Sequence, residues 1–167
     1  MPMEMGDGWT HTGAGAGHLA DTRGARINTD FNTSTKLGLG QAVKLNDQGL
    51  LDVATDSSDV YGVTSFKSAT QGWTLSAPHD VSWDADDVVS VIRQGQVYVP
   101  VNDDVSKGQK AIVDTDGYFK SATGVEPADA GDGKTAETGT TASTVYVGYF
   151  RTDAKAGETA ALELNLR

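Results

Sequence analysis

The stretch that decides the fold is Val88-Val89-Ser90-Val91-Ile92-Arg93-Gln94-Gly95-Gln96-Val97-Tyr98-Val99-Pro100-Val101. Val89, Val91, Val97, Val99 and Val101 share one parity, and Gln94-Gly95 separates the two halves. Side chains of a strand alternate between faces, so this 180° period, with a glycine at its centre, reads as a β-hairpin. Pro100 has no N–H to give to a ladder, which places the second half near a sheet edge at its end.

Working outward, the neighbouring segments are also short β runs. Upstream lie Ala42-Val43-Lys44-Leu45, a turn at Asn46-Asp47-Gln48-Gly49, Leu50-Leu51-Asp52-Val53-Ala54, Val60-Tyr61-Gly62-Val63-Thr64 and Trp73-Thr74-Leu75. Downstream come Ala111-Ile112-Val113, Tyr118-Phe119, Val145–Phe150 and the alternating Leu162, Leu164 and Leu166. No window shows the 3.6-residue period of an amphipathic helix. Val and Thr suit a pleated half-buried surface, and abundant Gly, Asp and Ser supply turns.

Two of these runs resemble each other. Gly40-Gln41-Ala42-Val43 and Gly49 return 68 residues later around Gly108-Gln109-Lys110-Ala111 and Gly117. Leu51 with Ala54-Thr55 is matched by Phe119 with Ala122-Thr123, and Val60-Tyr61-Gly62-Val63 is echoed loosely by Val147-Gly148-Tyr149-Phe150. The pattern predicts two similar hairpin modules within one barrel-like body.

Residues 1–36 differ from residues 37–167. They contain Gly13-Ala14-Gly15-Ala16-Gly17 and only scattered large apolar groups, and neither period survives for more than a few residues. A segment with so little to bury is expected to be an extended arm, disordered or laid against a partner. Trp9, Leu19, Ile27 and Phe31 are its candidate anchors, with Arg23 and Arg26 making it less acidic than the body. A second excursion, Ala122–Ser143, is long for a loop inside a compact domain, which points outward.

The 167 residues carry a formal net charge of −10. That acidity opposes phosphate backbones and anionic membranes, so neither nucleic acid nor membrane is an expected partner. There is no cysteine, which removes thiolate nucleophiles, disulfides and Cys-ligated zinc. The first residues, with Glu4 and Asp7, do not read as a secretory signal, and no run approaches the ~20 apolar residues of a membrane span.

Chemistry is sparse. The histidines are His11, His18 and His79; two stand in the arm, and His79-Asp80 lacks an oriented nucleophile. Asp114-Thr115-Asp116-Gly117 looks like part of a calcium loop, but its twelfth position is Val125 rather than a bidentate Glu, and its counterpart Asn46–Gly49 reads as a plain turn. No catalytic, cofactor or metal residue emerges, and the chain does not read as an enzyme.

Gly40–Leu45, Tyr61-Gly62-Val63, Val88–Val99 and Lys107-Gly108-Gln109-Lys110-Ala111-Ile112-Val113 with Asp116-Gly117 resemble the capsid decoration, or cement, proteins of tailed bacteriophages and their archaeal relatives. The likeness covers about residues 37–167. It implies an all-β, β-tulip or small barrel-like body, a homotrimer on the outer surface of the head, and the major capsid protein as partner. No cofactor is implied. The arm would be a strap ordering on its neighbour. The alternative is a carbohydrate- or receptor-binding β-module, such as a head fibre or adhesin, with Trp73 and Trp83 as its aromatic platform.

Overall fold

The computed structural model describes residues 15–32, 36–66, 82–122 and 145–166. These form one curled antiparallel sheet, a half-barrel, with a single 3-10 turn at Ser57–Asp59 and no α-helix among the described residues. The strands are β1 (Leu19–Phe31), β2 (Ala42–Leu45), β3 (Leu51–Val53), β4 (Gly62–Thr64), β5 (Val88–Pro100), β6 (Lys110–Val113), β7 (Phe119–Ser121), β8 (Gly148–Phe150) and β9 (Thr159–Asn165). Their order is β3-β2-β4-β5-β9-β8-β6-β7, and β1 pairs with β5 as well.

The expected hairpin at Gln94-Gly95 is not formed. Val88–Pro100 is one continuous strand, paired with β1 along its length and with β4 and then β9 elsewhere. A switch of face in mid-strand replaces the turn. The Ser90 carbonyl accepts from Ser65 on the β4 side, whereas the Tyr98 N–H donates to the His18 carbonyl on the β1 side. Both positions are even, so the chain rolls over between them, as a bulge makes it do. The five valines of one parity are therefore divided between two cores: Val89 and Val91 enter one, Val97, Val99 and Val101 the other. Pro100 is not on an edge either. It ends a central strand opposite Thr159.

The internal repeat is real and extends to register. Ala42↔Val63 and Val43↔Gly62 recur as Lys110↔Tyr149 and Ala111↔Gly148. Val43↔Val53 and Leu45↔Leu51 recur as Ala111↔Ser121 and Val113↔Phe119. The turns match too: the Gly49 N–H donates to Asn46 O, and the Gly117 N–H to Asp114 O, both at 2.9 Å. The match runs on into the flanking strands, where Asn28↔Val91 through Phe31↔Val88 recur as Val97↔Leu162 through Pro100↔Thr159. β5 thus closes the first unit with one half and opens the second with the other.

The units pack differently. Ala42, Ala54, Val63 and Ile92 of the first join Ala111, Phe119, Val147, Phe150 and Leu162 of the second in the main core. The first unit's opposite face encloses a smaller core of Leu37, Val43, Leu51, Trp83, Val89 and Val91. In the second unit the counterparts of Ala42, Val63 and Ile92 are Lys110, Tyr149 and Glu163, which face outward and belong to no buried core. Buried Gln41 joins the units: its Nε2 donates to Asp116 O (2.7 Å) and its Oε1 accepts from the Gly38 N–H (2.7 Å).

Candidate interaction surface

Residues 1–36, expected as an extended arm, contain a 13-residue strand of the chain's own sheet. Alternation is present in β1 with the polarity inverted. Asn28, Asp30 and Asn32 face inward, where the second unit has Val97, Val99 and Val101. Hydrogen bonds hold the two asparagines of this polar row: Asn28 Nδ2 donates to Tyr61 Oη (3.0 Å), and Asn32 Nδ2 to Asp84 O (2.7 Å). Ile27, Thr29 and Phe31 then face solvent. Ile27 and Phe31 are 48% and 60% exposed, and Val88, paired with Phe31, is 52% exposed.

The other expected contact residues are placed as follows. Leu19 is half-buried and packs on the main core, so it anchors β1 to its own body. Arg23 is exposed but held by Asp21, whose carboxylate accepts from Nε (3.1 Å) and Nη2 (2.8 Å). This hydrogen-bonded pair lowers the Asp21 carboxyl to about 2. It occupies the irregular stretch where the β1–β5 register slips between Asp21 and Arg26. Arg26 is exposed opposite Gln94. Trp9 lies outside the described residues.

A second apolar surface escaped the sequence reading. Val145, Tyr146 and Tyr149 are all exposed, with the tyrosine rings edge to face at 5.4 Å and Lys110 Nζ 4.6 Å from the Tyr146 centroid. Parity in β8 was the available signal, since Gly148 and Phe150 point inward and Tyr149 outward. Val88 was legible in the same way, being of opposite parity to Val89 and Val91.

The polar clusters are turn chemistry. Asp114 accepts from Lys120 Nζ (3.0 Å), the Thr115 N–H (2.9 Å) and Asn102 Nδ2 (3.2 Å), which hold its carboxyl at about 2. Asp116 accepts from Asn102 and from the Tyr118 N–H. Among the described residues, no group of three metal-ligating side chains converges. Because the folded value of Asp114 lies below that of an unfolded aspartate, its stabilisation is present above about pH 4 and lost as pH falls through about 2. Asp114→Asn, the residue that the first unit uses at this position, is expected to lower the melting temperature at pH 7. The gap from the parent chain should close between about pH 4 and pH 2 in thermal melts. A gap independent of pH would show that the charge is immaterial.

Of the two tryptophans proposed as a carbohydrate platform, Trp83 is buried in the smaller core and donates Nε1–H to Ser65 O (3.1 Å). Trp73, His11, His79 and residues 123–144 lie outside the described residues, and His18 stacks on Phe66 at 4.0 Å.

Comparison with known proteins agrees with this geometry. The sequence matches none of the curated proteins. Six chains of solved structures match, among them the base of the head fiber protein gp8.5 of bacteriophage phi29. That match has a TM-score of 0.52 at 13% identity and covers 84% of this chain and 94% of the other, a likeness of fold. The phage family described as structural cement protein (E217 gp24/Pam3 gp6) matches residues 8–165, strands β1 to β9 together. A half-barrel of two repeated β-units with an apolar outer strand, matched by that family over nearly its whole length, belongs to the phage structural cement proteins and is a component of the virion capsid.

Proposed function

We propose that the chain binds the outer surface of the major capsid protein lattice and stabilises the head mechanically, without catalysis or cofactor. The family match over residues 8–165 carries this reading. Cementing needs a rigid body and surfaces that adhere, and the chain has both: a sheet curled around two cores, and apolar side chains standing in solvent at β1 and β8. Arg23, Arg26, Ile27 and Phe31 form the surface that meets a neighbouring subunit of the head, with Leu19 beneath them; Trp9 is proposed to extend the same contact. The net charge of −10 favours a position outside the shell, away from packaged nucleic acid.

Each copy lengthens the list of contacts that must break together before the shell opens, and many weak contacts on one lattice act with avidity. The receptor- or carbohydrate-binding alternative needs a flat aromatic platform. Trp83 is buried, and Tyr146 and Tyr149 meet at 62°, which offers no coplanar face.

The test is addition of purified chain to empty expanded shells, followed by sedimentation. Saturation at a fixed number of copies per capsid subunit is expected. Absence of binding, or binding without saturation, would remove the proposal.

A further inference from the structure

The internal repeat shows which contacts the start of β6 lacks. The bonds that frame β2 recur around β6. Gly40 N–H to Thr64 O recurs as Gly108 N–H to Phe150 O, and Tyr61 N–H to Val43 O as Val147 N–H to Ala111 O. Ala54 N–H to Ala42 O recurs as Ala122 N–H to Lys110 O. The glutamines are held alike as well, Gln41 Oε1 by the Gly38 N–H and Gln109 Oε1 by the Ser106 N–H. Two bonds of the first unit do not recur. Gln41 Nε2 donates to Asp116 O (2.7 Å) and the Ala42 N–H to Gly117 O (2.8 Å), so this donor pair grips two successive carbonyls of a turn. Their counterparts, Gln109 Nε2 and the Lys110 N–H, have no acceptor among the described residues. They keep the same aim, because Gln109 Oε1 and the Lys110 carbonyl are bonded as in the first unit.

We infer that this open donor pair docks a glycine-containing β-turn of the major capsid protein, with a carboxylate of that partner on Lys110. The inference rests on the capsid reading and adds a contact in the second unit to the one at β1. Successive carbonyls of a strand point to opposite sides, so two carbonyls presented together call for a turn. The first unit shows the fit. A Cβ on Gly117 would stand 2.9 Å from Gln41 Cγ and 3.2 Å from the Ala42 carbonyl, so the second residue of a turn docked this way is glycine. The surroundings select an acidic partner. Nearby Lys120 and Arg151 are paired with Asp114 and Glu163, whereas Lys110 has no carboxylate partner among the described residues. Its Nζ lies 4.6 Å from the Tyr146 centroid, and Tyr149 Oη donates to Tyr146 Oη (3.3 Å). An unpaired cation between exposed tyrosines is the composition of an interface anchor. A second copy is the poorer occupant, because two chains of net charge −10 repel.

Gln109→Glu keeps the oxygen that holds Ser106 and replaces the outward donor with an acceptor. It is expected to weaken saturation of empty shells about 10-fold, with the melting temperature unchanged. Lys110→Glu, which leaves the donor pair in place, is expected to do the same. Gln41→Glu makes the first change where a turn is already docked, and it is expected to lower the melting temperature. A Gln41→Glu chain that melts like the parent would show that the pair does not grip a turn, and would overturn the inference. Gln109→Glu and Lys110→Glu chains that saturate shells like the parent overturn the docking and leave the capsid reading standing. A parent chain that does not bind removes both. Zero-length carbodiimide coupling of heads decorated with the parent chain identifies the occupant without any variant. Lys110 joined to a carboxylate of the capsid protein is expected. Lys110 joined only to carboxylates of this chain, in the same or another copy, or to none, overturns the assignment.

Discussion

A chain lacking residues 1–36 is expected not to fold, rather than to fold and merely lose its hold on the head. An arm could be cut away at little cost to the body, but β1 is part of the sheet. It matches β5 at eight registered positions, Leu19↔Val97 to Phe31↔Val88. At about 1 kcal/mol for each ladder hydrogen bond, their loss approaches the 5–15 kcal/mol by which whole domains are stable. The cut also removes Asn32, which bonds Asp84, and Leu19, which packs on the main core. Far-UV circular dichroism and a urea titration decide the matter. The truncated chain should lack a cooperative transition, whereas one with an unchanged midpoint would show that β1 is dispensable.

Gly148→Ala should be the most damaging single methyl in the described residues. A Cβ at Gly148 would run into the Glu163 carbonyl of β9, and its counterpart Gly62 would meet Val91 Cγ1 and the Ile92 carbonyl of β5. In both units the third strand passes so close to the fourth that only glycine fits, and backbone cannot swing aside as a side-chain tip can. A loss of about 3 kcal/mol is expected for either substitution, at the upper end of overpacking. Gly108→Ala is the control. Its φ of 90° is unfavourable for alanine, but nothing lies within 4 Å of the added carbon, so about 1 kcal/mol is expected. Urea midpoints of the three variants test the order. Equal losses would mean that conformation, not contact, sets the cost.

The sequence made much of the sheet legible, for a physical reason. β3, β6, β7 and β9 each bury one face and β2 buries both, so their apolar residues alternate or cluster, and the turns at Gly49 and Gly117 sit where positive φ calls for glycine. The repeat showed through because both units need the same glycines and the same Gln, whose Oε1 caps the Gly38 N–H in one and the Ser106 N–H in the other. Two features stayed hidden. The change of face within β5 leaves the parity of its valines intact, so a strand serving two cores looks like two strands serving one. β1 was hidden because its inward row of Asn28, Asp30 and Asn32 is polar, with hydrogen bonds to Asn28 and Asn32 in place of apolar contacts, and period-2 hydrophobicity is blind to that.

The candidate surface was partly legible for a related reason. Ile27 and Phe31 stood out as apolar residues in a polar stretch, and they are exposed as a contact surface requires. Leu19 looked the same in sequence but packs inward, since the register slip between Asp21 and Arg26 separates it from the outward row. Arg23 looked like a free cation, yet Asp21 two residues before it takes its guanidinium.

The central claim is that this half-barrel strengthens a shell by adhering to it. Thermal disruption of purified empty heads, with and without saturating chain, measures that most directly. Decorated heads should come apart at a temperature several degrees higher, with the gain levelling off once every site is filled. Heads that bind the chain and yet rupture at the same temperature as bare ones would contradict it.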